Sequence, residues 1–217
     1  MIKISLLFFL MIISGCSLKT PTNEWQYKSS TAFSIYTQDF LTGDETLAKN
    51  DLTRAVKHAK KSADLTQLAK IYLGECALNI AVGINDDCKN YANISDLVND
   101  DLLNAYYDFI HLSIKKEQIK YLPKDYHSFV YHLVEKDFKS ANEDIFNMPK
   151  ATSSFLCASL MKENIVPSSR EKIISLASYN GYKKVVLFWL NESIKNNHNQ
   201  EDIQKIRKRI YILQSND

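Results

Sequence analysis

Four cysteines and five histidines are the residues of this 217-residue chain best suited to metal binding or nucleophilic chemistry. No two histidines show a metal-ligand spacing such as HExxH, and His127 and His132, five residues apart, fall on different faces of a helix. The acidic segment 85–87 lacks the alternating oxygen ligands and central glycine of a calcium loop. The spacing therefore predicts no metal site. The histidines are His58, His111, His127, His132 and His198.

The sequence also lacks the common catalytic and nucleotide-binding motifs. The chain contains no GxSxG elbow, no GxxxxGK[ST] phosphate loop and no GxGxxG dinucleotide fingerprint, and its 5 glycines leave little room for a disguised one. One acidic candidate remains, Glu192 followed by Ser193. It is similar in type to the catalytic glutamate of helical lytic transglycosylases, but the glycine-rich segment that follows it in that family is missing. We therefore predict a non-enzymatic protein without a cofactor.

The first fifteen residues have the pattern of a secretory leader. Lys3 precedes an apolar run from Leu6 to Ile13, which is too short to span a bilayer. The residues Ile13-Ser14-Gly15-Cys16 resemble a bacterial lipobox. That resemblance implies cleavage before Cys16, lipidation of its thiol and membrane attachment without a transmembrane helix. In such lipoproteins Ser17, rather than Asp, implies sorting to the outer membrane, and we expect the periplasmic side.

Composition favours helices. The net charge of +2 arises from 27 basic and 25 acidic residues, so no charge excess indicates a nucleic-acid partner. With only 5 Gly and 4 Pro, the chain lacks the turns that a many-stranded sandwich or barrel needs. Residues 16–29 are polar and aperiodic and are predicted to form a flexible tether. Residues 30–217 are predicted to form a single all-α domain.

Apolar residues recur at helical spacing throughout this domain. The pattern predicts a first helix ending near Gly43, helices over 46–62 and 64–82, and a helical region capped by Ser95. Later helices are expected to end near Pro149 and Pro167, to begin again at a Ser168–Glu171 capping box, and to break at Asn180-Gly181. A last helix carries a narrow apolar stripe, formed by Ile203, Ile206, Ile210 and Leu213.

Short connections between these helices predict stacked antiparallel hairpins. Residues 52–83 resemble a tetratricopeptide hairpin, and residues 175–192 are similar to the helix-turn-helix of an ankyrin repeat without its β-hairpin. The chain as a whole resembles a bacterial lipoprotein with a degenerate tetratricopeptide-like body, which implies an α-solenoid. No repeat period persists along the chain, so a compact irregular helical bundle is the alternative.

The cysteines beyond Cys16 would lie in an oxidising compartment, where thiols tend to pair. Cys76 and Cys88 are the best pair, because the helix rise beyond Cys76 is shorter than the reach of the returning chain. Cys157 lies among apolar residues of a predicted helix and is expected to be a buried, inert thiol.

Two groups of side chains are candidates for partner binding. Tyr107 and Tyr131 fall outside the apolar stripes of their helices, and exposed tyrosine is common at protein interfaces. The last helix carries a basic cluster on its polar side, Lys205, Arg207, Lys208 and Arg209. These features predict a membrane-anchored scaffold or assembly factor for an envelope protein. The alternative is a protein that binds or cleaves peptidoglycan, for which a carboxylate and aromatic side chains would share one groove.

Overall fold

The computed structural model describes residues 23–215, and every regular element in this range is helical. The lipobox, Cys16 and the leader lie outside the described residues. No helix within 23–215 is both long enough and apolar enough to cross a membrane. The longer helices are α1 (Glu24–Thr42), α2 (Glu45–Ala59), α3 (Thr66–Ala81), α6 (Asp101–Ile110), α7 (His127–Val134), α8 (Phe138–Asp144), α9 (Ala151–Leu160), α10 (Pro167–Tyr179), α11 (Lys183–Lys195) and α12 (Gln200–Gln214). Single helical turns are α4 (Lys89–Ala92) and α5 (Ser95–Val98), with 3-10 segments at Lys116–Tyr121, Lys124–Tyr126, Ile145–Asn147 and Lys162–Asn164.

The hairpin turns follow the glycine signals in the sequence. Gly43 ends α1 in the left-handed conformation with φ 96°, and the carboxylate of Asp44 then accepts the backbone N–H of Leu47, at 3.1 Å, to start α2. Gly181, with φ 70°, separates α10 from α11. The predicted breaks at both glycines are confirmed.

The first helix begins earlier than the sequence pattern indicated. The sequence pattern places residues 24–29 in the flexible tether, but they form the first turns of α1. Ser29 is fully buried there, and its hydroxyl donates to the carbonyl of Ala55 in α2 at 2.9 Å. A polar, aperiodic segment has no apolar stripe to reveal this docking, which depends on α2.

Two predicted helix starts are wrong. Ser95 begins only the single turn α5, which ends where Asn99 takes a left-handed φ of 44°, and the following helix α6 is capped by Asp100. The Ser168–Glu171 box does not form, because α10 already starts at Pro167, whose fixed φ suits the first helical position.

The capping role of Asp100 predicts a measurable stability difference. Its carboxylate accepts the backbone N–H groups of Leu102 at 2.9 Å and Leu103 at 3.1 Å. We expect Asp100→Ala to lower the free energy of unfolding by about 1 kcal/mol, since two helix-end donors lose their acceptor. Ser95→Ala, which removes only a bond to the carbonyl of Ala92, should cost less. Urea titration of both variants checks this order, and equal losses would contradict it.

The core is built around α3, which packs against α1, α2, α6 and α9. Helix α9 is almost entirely buried, and the hydroxyl of Ser159 donates to the carbonyl of Ile80 in α3 at 2.6 Å. Helix α1 also contacts α11, near the other end of the chain. Among residues 23–215, the buried apolar side chains extend from Ala32 in α1 to Ile203 in α12.

Candidate functional site

A disulfide joins Cys76 in α3 to Cys88 at the start of α4, with the two Cα atoms 5.4 Å apart. The predicted pairing is therefore confirmed. Both sulfur-bearing residues are buried, and Cys88 holds a left-handed backbone with φ 51°. The bond fastens the loop of residues 83–87 to the end of the central helix.

The carboxylate of Asp86 ties the same loop to α3 and to Cys88 by two hydrogen bonds. It accepts the backbone N–H of Cys88 at 2.8 Å and the side-chain amide of Asn79 at 2.7 Å. Its oxygen atoms and the sulfurs of Cys76 and Cys88 lie within 4.8 Å of one another, the one group of potential metal ligands of this size among residues 23–215. The two sulfurs are bonded to each other, however, and thiolate is the form that binds metals. The cluster is thus a loop staple.

Glu75, the residue before Cys76, is a partly buried carboxyl group close to the negative charge of Asp86. Burial, and secondarily the nearby charge of Asp86, raise the pKa of the Glu75 carboxyl above its usual 4.5. The folded protein therefore holds the Glu75 proton more tightly than the unfolded chain does.

This shift predicts a pH dependence. A carboxyl whose pKa is raised on folding favours the folded state at low pH, and its contribution is lost as pH rises through the unfolded and then the folded pKa. We expect Glu75→Gln to be more stable than the parent at neutral pH, with the difference shrinking at pH values below 4.5, the usual pKa. Urea midpoints across this range provide the measurement, and the exposed Glu117→Gln serves as a control. A difference that grew on acidification would contradict the account.

An open groove of about 670 Å³ lies beside the stapled loop, between the ends of α3, α6 and α9. Its floor is apolar and its rim is charged. The floor includes Ile80, Ile110 and Leu160, and the exposed rim includes Asp87, Lys89, Lys162 and Glu163.

Two large apolar side chains of the groove remain in contact with solvent. Ile84 is 47% exposed and Leu112 is 56% exposed. Leu112 also adopts a left-handed φ of 56°, which is costly for a residue with a Cβ. This conformation closes the C-terminus of α6, where the backbone N–H of Ser113 donates to the carbonyl of Asp108 at 2.9 Å. The turn leaves the Leu112 side chain in contact with solvent at the edge of the groove.

His111 forms part of the groove wall. Its Nδ1 lies 2.8 Å from the carbonyl oxygen of Tyr107, to which a protonated Nδ1 donates, while its Nε2 is buried without a hydrogen-bond partner among the described residues. The Tyr107 ring lies 4.2 Å from the His111 ring and 5.4 Å from the Tyr91 ring, and Tyr107 is half-buried. The expectation that Tyr107 is exposed is therefore corrected. Its ring is half-buried and packs against the rings of His111 and Tyr91.

A second cleft, of about 460 Å³, shares Gly83, Ile84 and Lys162 with the groove. Gly83 has φ 80°, and a Cβ there would collide with the ring of Phe188, so a side chain at this position would distort the boundary between the two clefts.

Glu192, the acidic candidate from the sequence, lines this second cleft. It is 7% exposed, and one of its carboxylate oxygens lies 2.6 Å from the ammonium of Lys195. Ser193 donates to the backbone carbonyl of Trp189 at 2.8 Å, so its hydroxyl is occupied within α11. Glu192 is the one carboxylate among the described residues lining the cleft, whereas glycosidases commonly use a pair.

The other predicted site residues lie apart from the groove lining. Tyr131 is 43% exposed, with the ammonium of Lys116 4.6 Å from its ring centroid. Lys205, Arg207, Lys208 and Arg209 are all exposed on α12. Cys157 is fully buried, and burial raises the pKa of its thiol, as expected for an inert cysteine.

The groove itself was missed by the sequence analysis. Ile84 follows a glycine at the end of α3, and such a position is a weak signal for an exposed apolar residue. Nothing in the sequence around Leu112 indicates a left-handed residue, because leucine normally avoids that conformation. The meeting of α3, α6 and α9 at one edge depends on long-range packing.

The fold and site define the protein as an all-α protein with a disulfide-stapled loop beside an open, apolar-floored groove. Comparison with protein-family models, with curated proteins and with solved structures finds no match to this chain.

Proposed function

We propose that the protein is a lipid-anchored, non-enzymatic scaffold of the bacterial envelope that binds a segment of an envelope protein in the groove beside Cys88. The anchor would be the lipidated Cys16, attached to the outer membrane with the helical body on its periplasmic side. The resemblance of Ile13-Ser14-Gly15-Cys16 to a lipobox supports this part. The stapled Cys76–Cys88 pair is in keeping with an oxidising compartment.

The observation that carries the binding role is the exposure of Ile84 and Leu112 on an open groove with an apolar floor and a charged rim. Protein interfaces commonly have this organisation, with apolar anchors in the centre and polar groups around them. The disulfide limits motion of the 83–87 loop, so binding would require little ordering of this wall.

The helical body differs in one respect from the tetratricopeptide-like solenoid that the sequence predicts. In a solenoid each repeat contacts only its neighbours, whereas α3 packs against α9 and α1 against α11. These contacts support a compact bundle built from antiparallel hairpins rather than an open superhelix. The partner surface would then be a groove at one edge of the bundle and not a long concave face.

Peptidoglycan binding or cleavage is the rival function, and the buried Glu192 in the second cleft is the observation in its favour. The Lys195 ion pair and the absence of a second carboxylate in that cleft, within the described lining, favour the scaffold instead. Direct binding of the protein to purified peptidoglycan sacculi would favour the peptidoglycan function over the scaffold function.

The anchor is tested by metabolic labelling with an alkyne fatty acid. Label should be incorporated by the parent chain and lost in Cys16→Ser, while Cys157→Ala should retain it. Labelling of Cys16→Ser at the parent level would refute lipidation at this residue.

The groove is tested by placing a photo-crosslinking amino acid at position 84 in living cells. A discrete partner adduct should form there and not from position 179, where Tyr179 is 90% exposed on α10. Adding Leu112→Asn should lower the adduct yield at position 84 about tenfold, since burying a leucine contributes roughly 1.5–3 kcal/mol. Asparagine tolerates the left-handed backbone, so the fold should be retained. Equal adducts from 84 and 179 would contradict the groove assignment.

A further inference from the structure

The last helix, α12, presents a second surface that the groove does not use. It packs against α11 with Ile203 buried and Ile206 and Ile210 half-buried, so these three isoleucines define its inner face. The opposite face is open to solvent. The exposed residues of its C-terminal half combine cations with large apolar side chains, namely Lys205, Arg207, Lys208, Arg209, Tyr211 and Ile212.

Helical spacing brings the two kinds of side chain together. Tyr211 lies four residues after Arg207, and Ile212 lies four after Lys208, so each apolar side chain has a cation one turn away on the same face. Tyr211 is 73% exposed and Ile212 is 58% exposed. Within residues 23–215 only Lys205 of the four cations forms an ion pair, with Glu201 at 2.7 Å.

The four cations precede the last turn of α12, which holds no basic residue, so the preference of helix C-termini for cations does not account for them. The exposed Tyr211 and Ile212 leave apolar surface in water, and they lie one helical turn after Arg207 and Lys208 instead of forming a purely apolar patch. Side chains of this kind insert at the level of lipid headgroups, with apolar groups below and cations level with the phosphates.

We propose that this face of α12, defined by Arg207, Lys208, Arg209, Tyr211 and Ile212, docks on the surface of a bilayer containing anionic phospholipid. The cations match the phosphate charges, while Tyr211 and Ile212 enter the interface. The contact supplies a second membrane attachment beside the proposed acyl anchor and orients the body on the bilayer. It requires neither the anchor nor the groove, so it is testable separately from the proposed function.

The test uses residues 17–217, which contain the whole described core and lack the apolar leader. Its binding to sedimented vesicles of equal parts phosphatidylglycerol and phosphatidylcholine is compared with binding to pure phosphatidylcholine. We expect binding to the anionic vesicles only, weakened by salt, since exposed charges are screened. Each cation near an anionic surface changes partitioning roughly fivefold. Arg207→Gln/Lys208→Gln/Arg209→Gln should therefore reduce it by well over tenfold.

Two further variants separate charge from position. Lys57→Gln/Lys60→Gln/Lys61→Gln removes the same charge from exposed lysines at the end of α2 and should leave vesicle binding nearly unchanged. Tyr211→Ser/Ile212→Ser keeps all the cations and should still weaken binding several-fold. Circular dichroism confirms that each variant is folded. Three results would overturn the proposal. They are an equal loss of vesicle binding in the α12 and the α2 triple variants, equal binding of the parent protein to both kinds of vesicle, and no binding to either kind.

Discussion

Phe109→Ala is expected to lower the free energy of unfolding by about 3–5 kcal/mol, the largest effect of any single substitution considered. Phe109 is fully buried in α6, and its ring contacts those of Tyr106, Tyr126 and Phe129 at centroid distances of 5.9, 5.4 and 6.2 Å. Truncation removes the apolar transfer free energy and the edge-to-face contacts, and it leaves a cavity where α6 meets α7 and the segment before it.

Chemical denaturation with urea provides the measurement. Phe109→Leu should lose less stability, because it retains most of the buried volume. Tyr179→Ala is the matched control, since Tyr179 is an aromatic residue that is 90% exposed, and its loss should stay within about 0.5 kcal/mol. Comparable losses at positions 109 and 179 would show that the aromatic cluster is not part of the core.

Removing the disulfide is expected to have the second largest effect. Cys76 and Cys88 are 12 residues apart, and closing a loop of this size stabilises a protein by about 3 kcal/mol through the reduced entropy of the unfolded chain. We expect Cys76→Ala/Cys88→Ala to unfold at correspondingly lower urea. The groove should also lose affinity for its partner, because the 83–87 loop is no longer fastened to α3.

Reductant distinguishes the cross-link from loss of the side chains. The parent protein unfolded in urea with dithiothreitol should approach the stability of the double variant, whereas the double variant should not respond to dithiothreitol. A parent protein indifferent to reductant, with a double variant of equal stability, would contradict a stabilising role for the bond.

Local signals in the sequence were sufficient for much of the framework. Gly43 and Gly181 marked helix ends because few other residues tolerate their backbone conformation. The Cys76–Cys88 pair was predictable because its geometry depends on a short span of chain. Helix starts were less certain: Ser95 and Asp100 are both good caps, and the choice between them depends on how α6 packs.

Tertiary contacts determined what the sequence could not indicate. Ser29 is buried where α1 packs against α2, with its hydroxyl bonded to the carbonyl of Ala55. The ring of Tyr107 packs against that of Tyr91, which belongs to a different element. The groove requires α3, α6 and α9 to end side by side, with Leu112 held in a left-handed backbone. The spacing of apolar residues indicates individual helices, but it does not indicate which helices contact one another in the fold.

Anchor-dependent crosslinking from position 84 tests the central claim most directly. The photo-crosslinking residue at 84 is compared in cells between the chain with Cys16 and the chain with Cys16→Ser, followed by mass spectrometry of the adducts. The scaffold account predicts one envelope protein recovered in stoichiometric yield with Cys16 and a strong loss of that adduct with Cys16→Ser. Recovery of peptidoglycan fragments alone, or the same adduct yield without the anchoring cysteine, would contradict it.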